Sequence, residues 1–365
     1  MLAVAVVLAG CKSNPPAATP DAGVAAAPAQ APTALPAPGP ALSYLKSVGS
    51  QRCEWIRQPL PSGAPTTIFA FDGDCSRSEV TWSPNGKEGL VFTWPVGEGA
   101  VPRVWRVDLT AKTGKPMELK GLPGGTGEQG PDKPYIEKVG FDAQGRPVVL
   151  VSDVYSDREP EKGPGGEQLL SFEGQRYPLT GKLGEGRPGL ALAYRLEGAD
   201  WKRFETKASV YEAENAPGVN VLDAARALSV VQSPTAAREL PGQQASESAA
   251  RMLDAAFPGQ DESGKWMTLT TPGGALHYRA SNPGDDSLRP AVPVRWEQDG
   301  KLAELEGLTA KEGDRLGFQL RGGLLVVTVQ GETSHASVYD TRTKKNLVSV
   351  QGAESAALWP EPSKP

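Results

Sequence analysis

The sequence predicts an all-β protein built from repeated four-stranded sheets, and three observations point to this fold class. Segments in which apolar and polar residues alternate are short and recur along the chain. Glycine and proline, at 42 and 34 of 365 residues, supply frequent turns. The repeating unit is about 40 to 45 residues long, the usual size of a propeller blade. We therefore predict a β-propeller of about five to seven blades with a small helical insertion, the alternative being a β-sandwich or two small β-domains.

The segment from Glu79 to Pro123 carries the clearest copy of the repeating unit. Its first turn, Ser83-Pro84-Asn85-Gly86, has proline at the second position and glycine where a positive φ is expected. Branched and aromatic residues predict strands around this turn and further along, at Val80–Trp82, Leu90–Trp94, Val104–Leu109 and Met117–Leu119. Four strands joined by short turns make one blade.

Weaker copies of the unit follow the first one. They are predicted within Val139–Leu179, Leu190–Tyr211, Trp266–Leu305 and Leu316–Val350. In the second copy, Gly145 aligns with Gly86 at the tight turn. In the last copy, Asp340 stands where Asp108 stands in the first, after an apolar strand and before a turn rich in Thr and Lys.

The β pattern fails between Val219 and Phe257, and a helix is predicted at the end of this stretch. Ser246 is a suitable N-cap, and Pro258-Gly259 ends the helical pattern. Residues of one apolar stripe lie between them: Ala249, Ala250, Leu253, Ala256 and Phe257. We predict a helical insertion over about 219–257 that packs on a face or rim of the propeller.

The two ends of the domain are predicted to share one blade. Ala356–Pro360 matches the inner strand Val80–Pro84, yet no blade follows it. A hairpin is predicted from Cys53–Leu60 and Thr66–Phe71, around a turn rich in Pro and Gly. The strand bearing Trp359 and this hairpin would together complete one blade, which removes exposed sheet edges.

The N-terminus carries an export and lipidation motif. Residues Met1–Gly10 are apolar, and Leu8-Ala9-Gly10-Cys11 matches the lipobox of bacterial lipoproteins. The resemblance implies that residues 1–10 are a signal peptide, that Cys11 is lipidated, and that Lys12, which is not Asp, favours the outer membrane. Residues 11–41 are rich in Ala and Pro, so we predict a disordered tether that reaches about 90 Å when extended.

Cysteine usage agrees with export. If Cys11 carries lipid, Cys53 and Cys75 remain as a pair on either side of the predicted hairpin. An exported compartment permits disulfides, so we predict a bond between these two. Two reduced buried thiols are the alternative, and a metal site is weaker because no His or third Cys lies nearby.

The turn motif Trp82-Ser83-Pro84-Asn85-Gly86-Lys87 resembles the W-S-P-D-G-K repeats of TolB-like propellers, with Asn85 in place of Asp. The chain is also similar in pattern to WD-like propellers. The resemblance covers about two thirds of the region after the tether. It implies a bacterial envelope propeller over residues 42–360, followed by a tail at 361–365. In that family the motif is structural and supplies no chemistry.

No catalytic, cofactor or metal residue is predicted. The two histidines, His277 and His335, have no H-x-x-x-H or H-x-H companion, so solvated or structural roles are expected. There is no G-x-S-x-G elbow, and Gly124–Gly127 lacks the lysine of a phosphate-binding loop. A Ser-His-Asp triad stays open, because it is recognised by geometry and not by order.

Two carboxylate pairs, Asp72 with Asp74 and Asp285 with Asp286, are predicted to form turns, since neither has the ligand spacing of a calcium loop. Among the tryptophans, Trp201 near a hairpin turn is the one expected to be exposed. Packing between blades is expected to explain most of those predicted on strands, namely Trp82, Trp94, Trp105, Trp266, Trp296 and Trp359.

The net charge of −5 argues against nucleic acid as a partner. We expect a lipoprotein anchored by Cys11 in the outer membrane, periplasmic or surface-facing, whose propeller binds or scaffolds envelope proteins or cell-wall material without a cofactor. The alternative is an envelope hydrolase or lyase of propeller type acting on glycans or esters. A structural surface component without a defined ligand is a third possibility.

Overall fold

The computed structural model describes ten segments, namely residues 39–49, 51–94, 100–126, 134–152, 159–172, 175–180, 187–211, 242–259, 264–281 and 289–359. The predictions for the signal peptide, Cys11, nearly all of the tether, the first part of the insertion, Asp285-Asp286 and the C-terminal tail lie outside these residues.

The described chain forms five β-sheets, here numbered I to V, and one α-helix. Sheet I begins with β1 (Ala41–Ser47), β2 (Arg52–Pro59) and β3 (Thr66–Asp72). Sheet II consists of β4 (Ser78–Trp82), β5 (Glu88–Thr93), β6 (Arg103–Asp108) and β7 (Thr113–Pro116). Both are antiparallel meanders in which consecutive strands pair.

Sheet III has seven strands and joins two of the predicted units. It contains β8 (Tyr135–Phe141), β9 (Pro147–Ser152), β10 (Glu161–Lys162), β11 (Gln168–Phe172), β12 (Gln175–Thr180), β13 (Arg187–Glu197) and β14 (Asp200–Tyr211). Its order is β10-β11-β12-β14-β13-β9-β8. The second and third predicted copies therefore belong to one sheet, because the long hairpin β13–β14 inserts between β9 and β12.

Sheet IV carries the helix. It contains β15 (Gln243–Gln244), β16 (Lys265–Thr271), β17 (Gly274–Ser281), β18 (Arg289–Gln298) and β19 (Lys301–Glu304), and helix α1 (Glu247–Ala256) follows β15. Sheet V is the meander β20 (Arg315–Arg321), β21 (Leu324–Gln330), β22 (His335–Asp340) and β23 (Asn346–Gln351). The last strand, β24 (Ala353–Leu358), returns to sheet I and gives it the order β24-β1-β2-β3.

Repeated turns support the interpretation of the sheets as blades. Asp108 Oδ1 accepts hydrogen bonds from the backbone N–H groups of the second and third residues after it, and Asp340 Oδ1 does the same. Lys112 and Lys344, each four residues after its aspartate, both have positive φ, 55° and 58°. The predicted equivalence of Asp108 and Asp340 is confirmed, since both cap the same Asx-type turn.

The predicted sharing of one sheet by the two ends of the domain is also confirmed. Strand β24 pairs with β1 from Leu42–Leu358 to Lys46–Ala353, and the Trp359 N–H donates to the Ala41 carbonyl at 2.7 Å. The hairpin β2–β3 lies outside β1, as expected. Strand β1 itself was absent from the prediction, and the fourth strand of sheet II lies at β7 and not at Met117–Leu119.

Four apolar clusters join neighbouring sheets. They lie between sheets I and II around Trp55 and Val91, between II and III around Phe92 and Phe141, between IV and V around Trp296 and Phe318, and between V and I around Tyr44 and Val338. In the described residues no such cluster joins sheets III and IV, and the sheets do not close. The described residues thus form an all-β fold of propeller type in which four apolar clusters join the sheets pairwise.

Candidate functional site

The two faces of sheet IV differ in chemistry. One face carries Leu276, Tyr278 and Trp296, which pack against sheet V. Because side chains alternate along a strand, the opposite face carries His277, Arg279 and the other residues that pair across the strands with them. This second face, here called the polar face, is not part of the apolar cluster that sheet IV shares with sheet V.

Helix α1 lies against the polar face. Ser246 caps it, since its Oγ accepts the Ala249 N–H at 3.3 Å, and Phe257 follows its last turn. Leu253 is its fully buried residue. Trp266 Nε1, from β16, donates to Asp254 Oδ1 at 2.7 Å. The predicted helix is therefore present, held to the sheet by one buried leucine and one charge-assisted hydrogen bond.

A pocket of about 490 Å³ opens where α1 meets the sheet. Its lining residues come from β15, from the end of α1 and from the neighbouring edges of β16 and β17: Gln244, Ala245, Ala250, Asp254, Phe257, Pro258, Gly259, Gly264, Lys265, Trp266 and Arg279. The rings of Phe257 and Trp266 lie 5.9 Å apart, centroid to centroid. This volume is typical of small-molecule sites, which combine apolar walls with a few polar groups.

Arg279 is the unusual residue of this pocket. It is only 5% exposed, and its guanidinium carbon lies 5.5 Å from the centroid of the Trp266 ring. Within the described part of the chain, no hydrogen bond or ion pair joins the guanidinium to another residue. A buried charge without a hydrogen-bonded partner is costly, so a site with this geometry favours a bound anion.

Glycine makes room for this arginine. A Cβ placed on Gly264 would lie 2.5 Å from Arg279 Nε, closer than any side chain tolerates. The backbone before β16 can therefore approach the guanidinium only because position 264 has no side chain. Lys265 follows at the exposed rim, so the pocket lining has two cationic side chains and one anionic one.

A second polar cluster lies on the same face. His277 Nδ1 lies 2.9 Å from Thr268 Oγ1, and His277 Nε2 lies 2.7 Å from Glu297 Oε2. The imidazole is 1% exposed, whereas the Glu297 side chain is 31% exposed. Neighbouring Arg295 places its guanidinium 4.9 Å from the Phe257 ring centroid, which links this cluster to the helix.

Both histidines are buried, so a solvated role is wrong for each of them. His335 is also 1% exposed, and its Nε2 lies 3.5 Å from Thr309 Oγ1. Burial lowers the pKa of His335 below its ordinary value, while a hydrogen bond with the Thr333 backbone and the charge of Asp314 act in the opposite direction.

The remaining predicted residues are placed as follows. Cys53 and Cys75 form a disulfide with their Cα atoms 5.4 Å apart. Asp74 caps a short 3-10 helix over Cys75–Arg77, so it forms a turn as expected. Trp201 is partly buried, and its Nε1 donates to the Glu118 carbonyl at 2.8 Å, so its expected exposure is only partial.

The pocket is not predicted by the patterns in the sequence. Trp266 is one of the strand tryptophans for most of which packing between blades is expected, but it lies on the polar face and contacts α1. The available signal was an arginine in the middle of an apolar strand, since Arg279 lies between Tyr278 and Ala280. The predicted helix, which comes before β16, is a second sign that an element other than a neighbouring sheet covers this face.

Two further observations concern the described residues only. No three His, Cys, Asp or Glu side chains among them are grouped so as to hold a metal ion. Their one α-helix is too short and polar to span a membrane.

Comparison with known proteins gives low structural similarity and no family. No family model matches the chain, and no curated protein matches it in sequence. Among solved structures, TolB from Acinetobacter baumannii aligns over 88% of this chain and 57% of its own, at 15% identity and a TM-score of 0.27. A putative 6-phosphogluconolactonase from Bacteroides uniformis aligns over 88% and 99%, at 10% identity and a TM-score of 0.34.

The dihydro-heme d1 dehydrogenase NirN aligns over 88% of this chain and 75% of its own, at 10% identity and a TM-score of 0.36. At such scores the alignments support no inference, and the fold class rests on the sheet topology described above. The fold and the site define the class: an all-β protein of propeller type with an arginine-containing pocket beside the helix of sheet IV.

Proposed function

We propose that the protein is a membrane-anchored lipoprotein of a bacterial envelope whose propeller-type domain binds an envelope protein or cell-wall component through the pocket beside α1. The observation that carries the binding function is this pocket, where buried Arg279 has no charged partner among the described residues. Preformed pockets with apolar walls and a few convergent polar groups are the common form of a binding site.

The membrane anchor is proposed from the sequence. The lipobox places Cys11 directly after an apolar run, and the Ala- and Pro-rich stretch that follows is too poor in apolar bulk to fold. A tether of this length would hold the domain tens of ångströms from the membrane, at most about 90 Å. The pocket would then be presented to molecules of the envelope.

Lipid attachment is tested by metabolic labelling. Cells that express the full chain are grown with radioactive palmitate, and the wild type is compared with Cys11→Ala. We expect label in the membrane fraction for the wild type and none for the variant. Equal labelling, or equal membrane attachment, of the two proteins would contradict the anchor.

The binding function is tested by blocking the pocket in the full chain. Ala250→Phe places a ring in the pocket, while Ala255→Phe adds the same ring at an exposed position of α1 outside the pocket lining. Co-sedimentation with purified peptidoglycan sacculi and photo-crosslinking from Gln244 in living cells are measured for both. We expect Ala250→Phe to abolish at least one signal and Ala255→Phe to preserve both. Absence of both signals in the wild type would refute the binding function.

Ester hydrolysis is a second candidate function, favoured by one observation. Thr268, His277 and Glu297 are hydrogen-bonded in series, an order that matches nucleophile, base and carboxylate. The binding function is better supported, because His277 is almost completely buried, whereas the pocket has exposed residues at its rim, among them Gln244 and Lys265. Hydrolysis of p-nitrophenyl acetate that disappears in His277→Gln would favour the enzyme.

A further inference from the structure

We infer that the pocket recognises a monocarboxylate with an apolar or aromatic body, and that the Arg279 guanidinium binds the carboxylate. This inference rests on the proposed binding function and specifies its ligand. It follows from three features of the described residues: the position of an unpaired buried cation, the walls around it and the total charge of the lining.

The first feature is the arginine itself. The guanidinium presents several N–H donors in one plane, and a carboxylate can accept two of them in parallel. Trp266 supports the group from one side at 5.5 Å, and Gly264 leaves its Nε uncovered by any side chain at that position. Arg279 lines the pocket but is only 5% exposed, so its guanidinium has already lost most of its hydration. A bound anion would supply hydrogen-bond acceptors in place of the lost water.

The second feature is the apolar wall. Phe257, Trp266, Ala250 and Pro258 line the pocket next to the cation. A ligand that carried only charge would leave these groups in contact with water, whereas a ring or alkyl group would cover them. The ligand is therefore expected to have an apolar body attached to its carboxylate.

The third feature is the charge of the lining. Arg279 and Lys265 are cationic and Asp254 is anionic, so the pocket lining carries a net charge of +1. Asp254 Oδ1 already accepts the Trp266 N–H, so this carboxylate is fixed beside the aromatic wall. A multiply charged phosphate would be repelled more strongly by Asp254 than a single carboxylate would, and one carboxylate is enough to pair the buried Arg279 cation.

The experiment compares acids with their amides. Phenylacetate and N-acetylphenylalanine are titrated against the detergent-solubilised full chain by calorimetry, each beside its uncharged amide. We expect at least tenfold tighter binding of the acids. Arg279→Gln should reduce this preference to less than twofold, and Arg279→Lys should restore it only in part, because lysine keeps the charge but not the paired donors. Arg342→Gln, an exposed arginine on sheet V, should leave the preference unchanged.

Stability measurements separate recognition from a structural role. Arg279→Met removes a buried charge that has no hydrogen-bonded partner among the described residues, so the melting temperature should stay the same or rise. A clear fall in melting temperature would show that the arginine holds the fold and would overturn the inference.

The two proposals fail in different ways. If the wild type binds sacculi or crosslinks a partner in a manner blocked by Ala250→Phe, but binds the acids and amides equally, the binding function stands and carboxylate recognition is wrong. Retention of the acid preference by Arg279→Gln would also overturn the assignment of the cation. If neither sacculi, partner nor any probe is bound, both proposals are wrong.

Discussion

Trp55 and Trp359 pack against each other with their ring centroids 5.7 Å apart, although one lies near the start and the other near the end of the described chain. Trp82 from sheet II completes the group, 5.9 Å from Trp55 and 5.8 Å from Trp359. The Arg57 guanidinium carbon lies 5.4 Å from the Trp359 ring centroid. These contacts pack sheet I, which contains strands from both ends of the described chain, against Trp82 of sheet II.

Replacement of Trp359 by alanine should loosen sheet I. The variant loses two aromatic contacts and one cation–π contact, so we expect the free energy of unfolding to fall by about 2 kcal/mol. Hydrogen exchange should accelerate in β1 and β24 and change little in sheet III. Trp201→Ala is the matched control, because Trp201 packs in sheet III, and it should show the opposite distribution. Equal acceleration in both sheets would contradict the role given to Trp359.

Removal of the disulfide should destabilise the same sheet. The bond between Cys53 and Cys75 closes a loop with a sequence separation of 22. The chain-entropy model assigns about 3 kcal/mol to such a loop. Guanidinium unfolding of the double variant Cys53→Ser/Cys75→Ser should show this loss, and dithiothreitol should have no further effect on it. A wild type whose unfolding midpoint is unaffected by reduction would show that the bond does not contribute.

Addition of a single methyl group at Gly89 should disturb the interface between sheets I and II. A Cβ there would lie 2.5 Å from Trp55 Cη2 and 3.1 Å from the Thr81 carbonyl oxygen. We expect Gly89→Ala to lower the free energy of unfolding by about 1 to 3 kcal/mol through overpacking. In a Trp55→Phe background the same change should cost less, because the shorter ring leaves space. Strict additivity of the two substitutions would argue against direct contact.

Stability should fall in mild acid because of His335. Its pKa is lowered in the folded state by burial, from an ordinary value of 6.5, so the unfolded chain binds the proton more readily. The contribution of this histidine is complete above about pH 6.5 and decreases as the pH falls below that value toward the folded-state pKa. Urea unfolding at about pH 7.5 and about pH 5.5 measures the decrease. His335→Gln should show a smaller pH dependence than the wild type, and an unchanged dependence would contradict this assignment.

Local patterns in the sequence predicted much of the fold. Residue type predicts the turns at Gly86 and Gly145. Both glycines have positive φ, and each donates its N–H to the carbonyl of the residue three positions before it. The hairpin between Cys53 and Cys75 was predicted because alternation, turn residues and cysteine spacing agreed. The match between Ala356–Pro360 and Val80–Pro84 located the last strand, since an isolated inner strand needs a partner elsewhere.

Long-range pairing could not be predicted in the same way. Insertion of β13–β14 between β9 and β12 depends on backbone pairing between distant segments, which leaves no periodic pattern in either one. The sequence does not predict the polar face of sheet IV, because Trp266 and His277 are compatible with a strand whichever face of the sheet they lie on. Among the described residues no carboxylate pairs with Arg279, and the sequence alone does not show which charged side chains meet in the folded chain.

The pairing of β24 with β1 also has a consequence for biosynthesis. Strand β1 is synthesised before the other described strands, whereas its partner at Ala353–Leu358 is synthesised after all of them. Until then one edge of β1 has no ladder partner and is open to pairing with other chains. Sheet I can be completed only after the six residues of β24 have been synthesised. We expect a chaperone that shields the early strands to raise the yield of native protein.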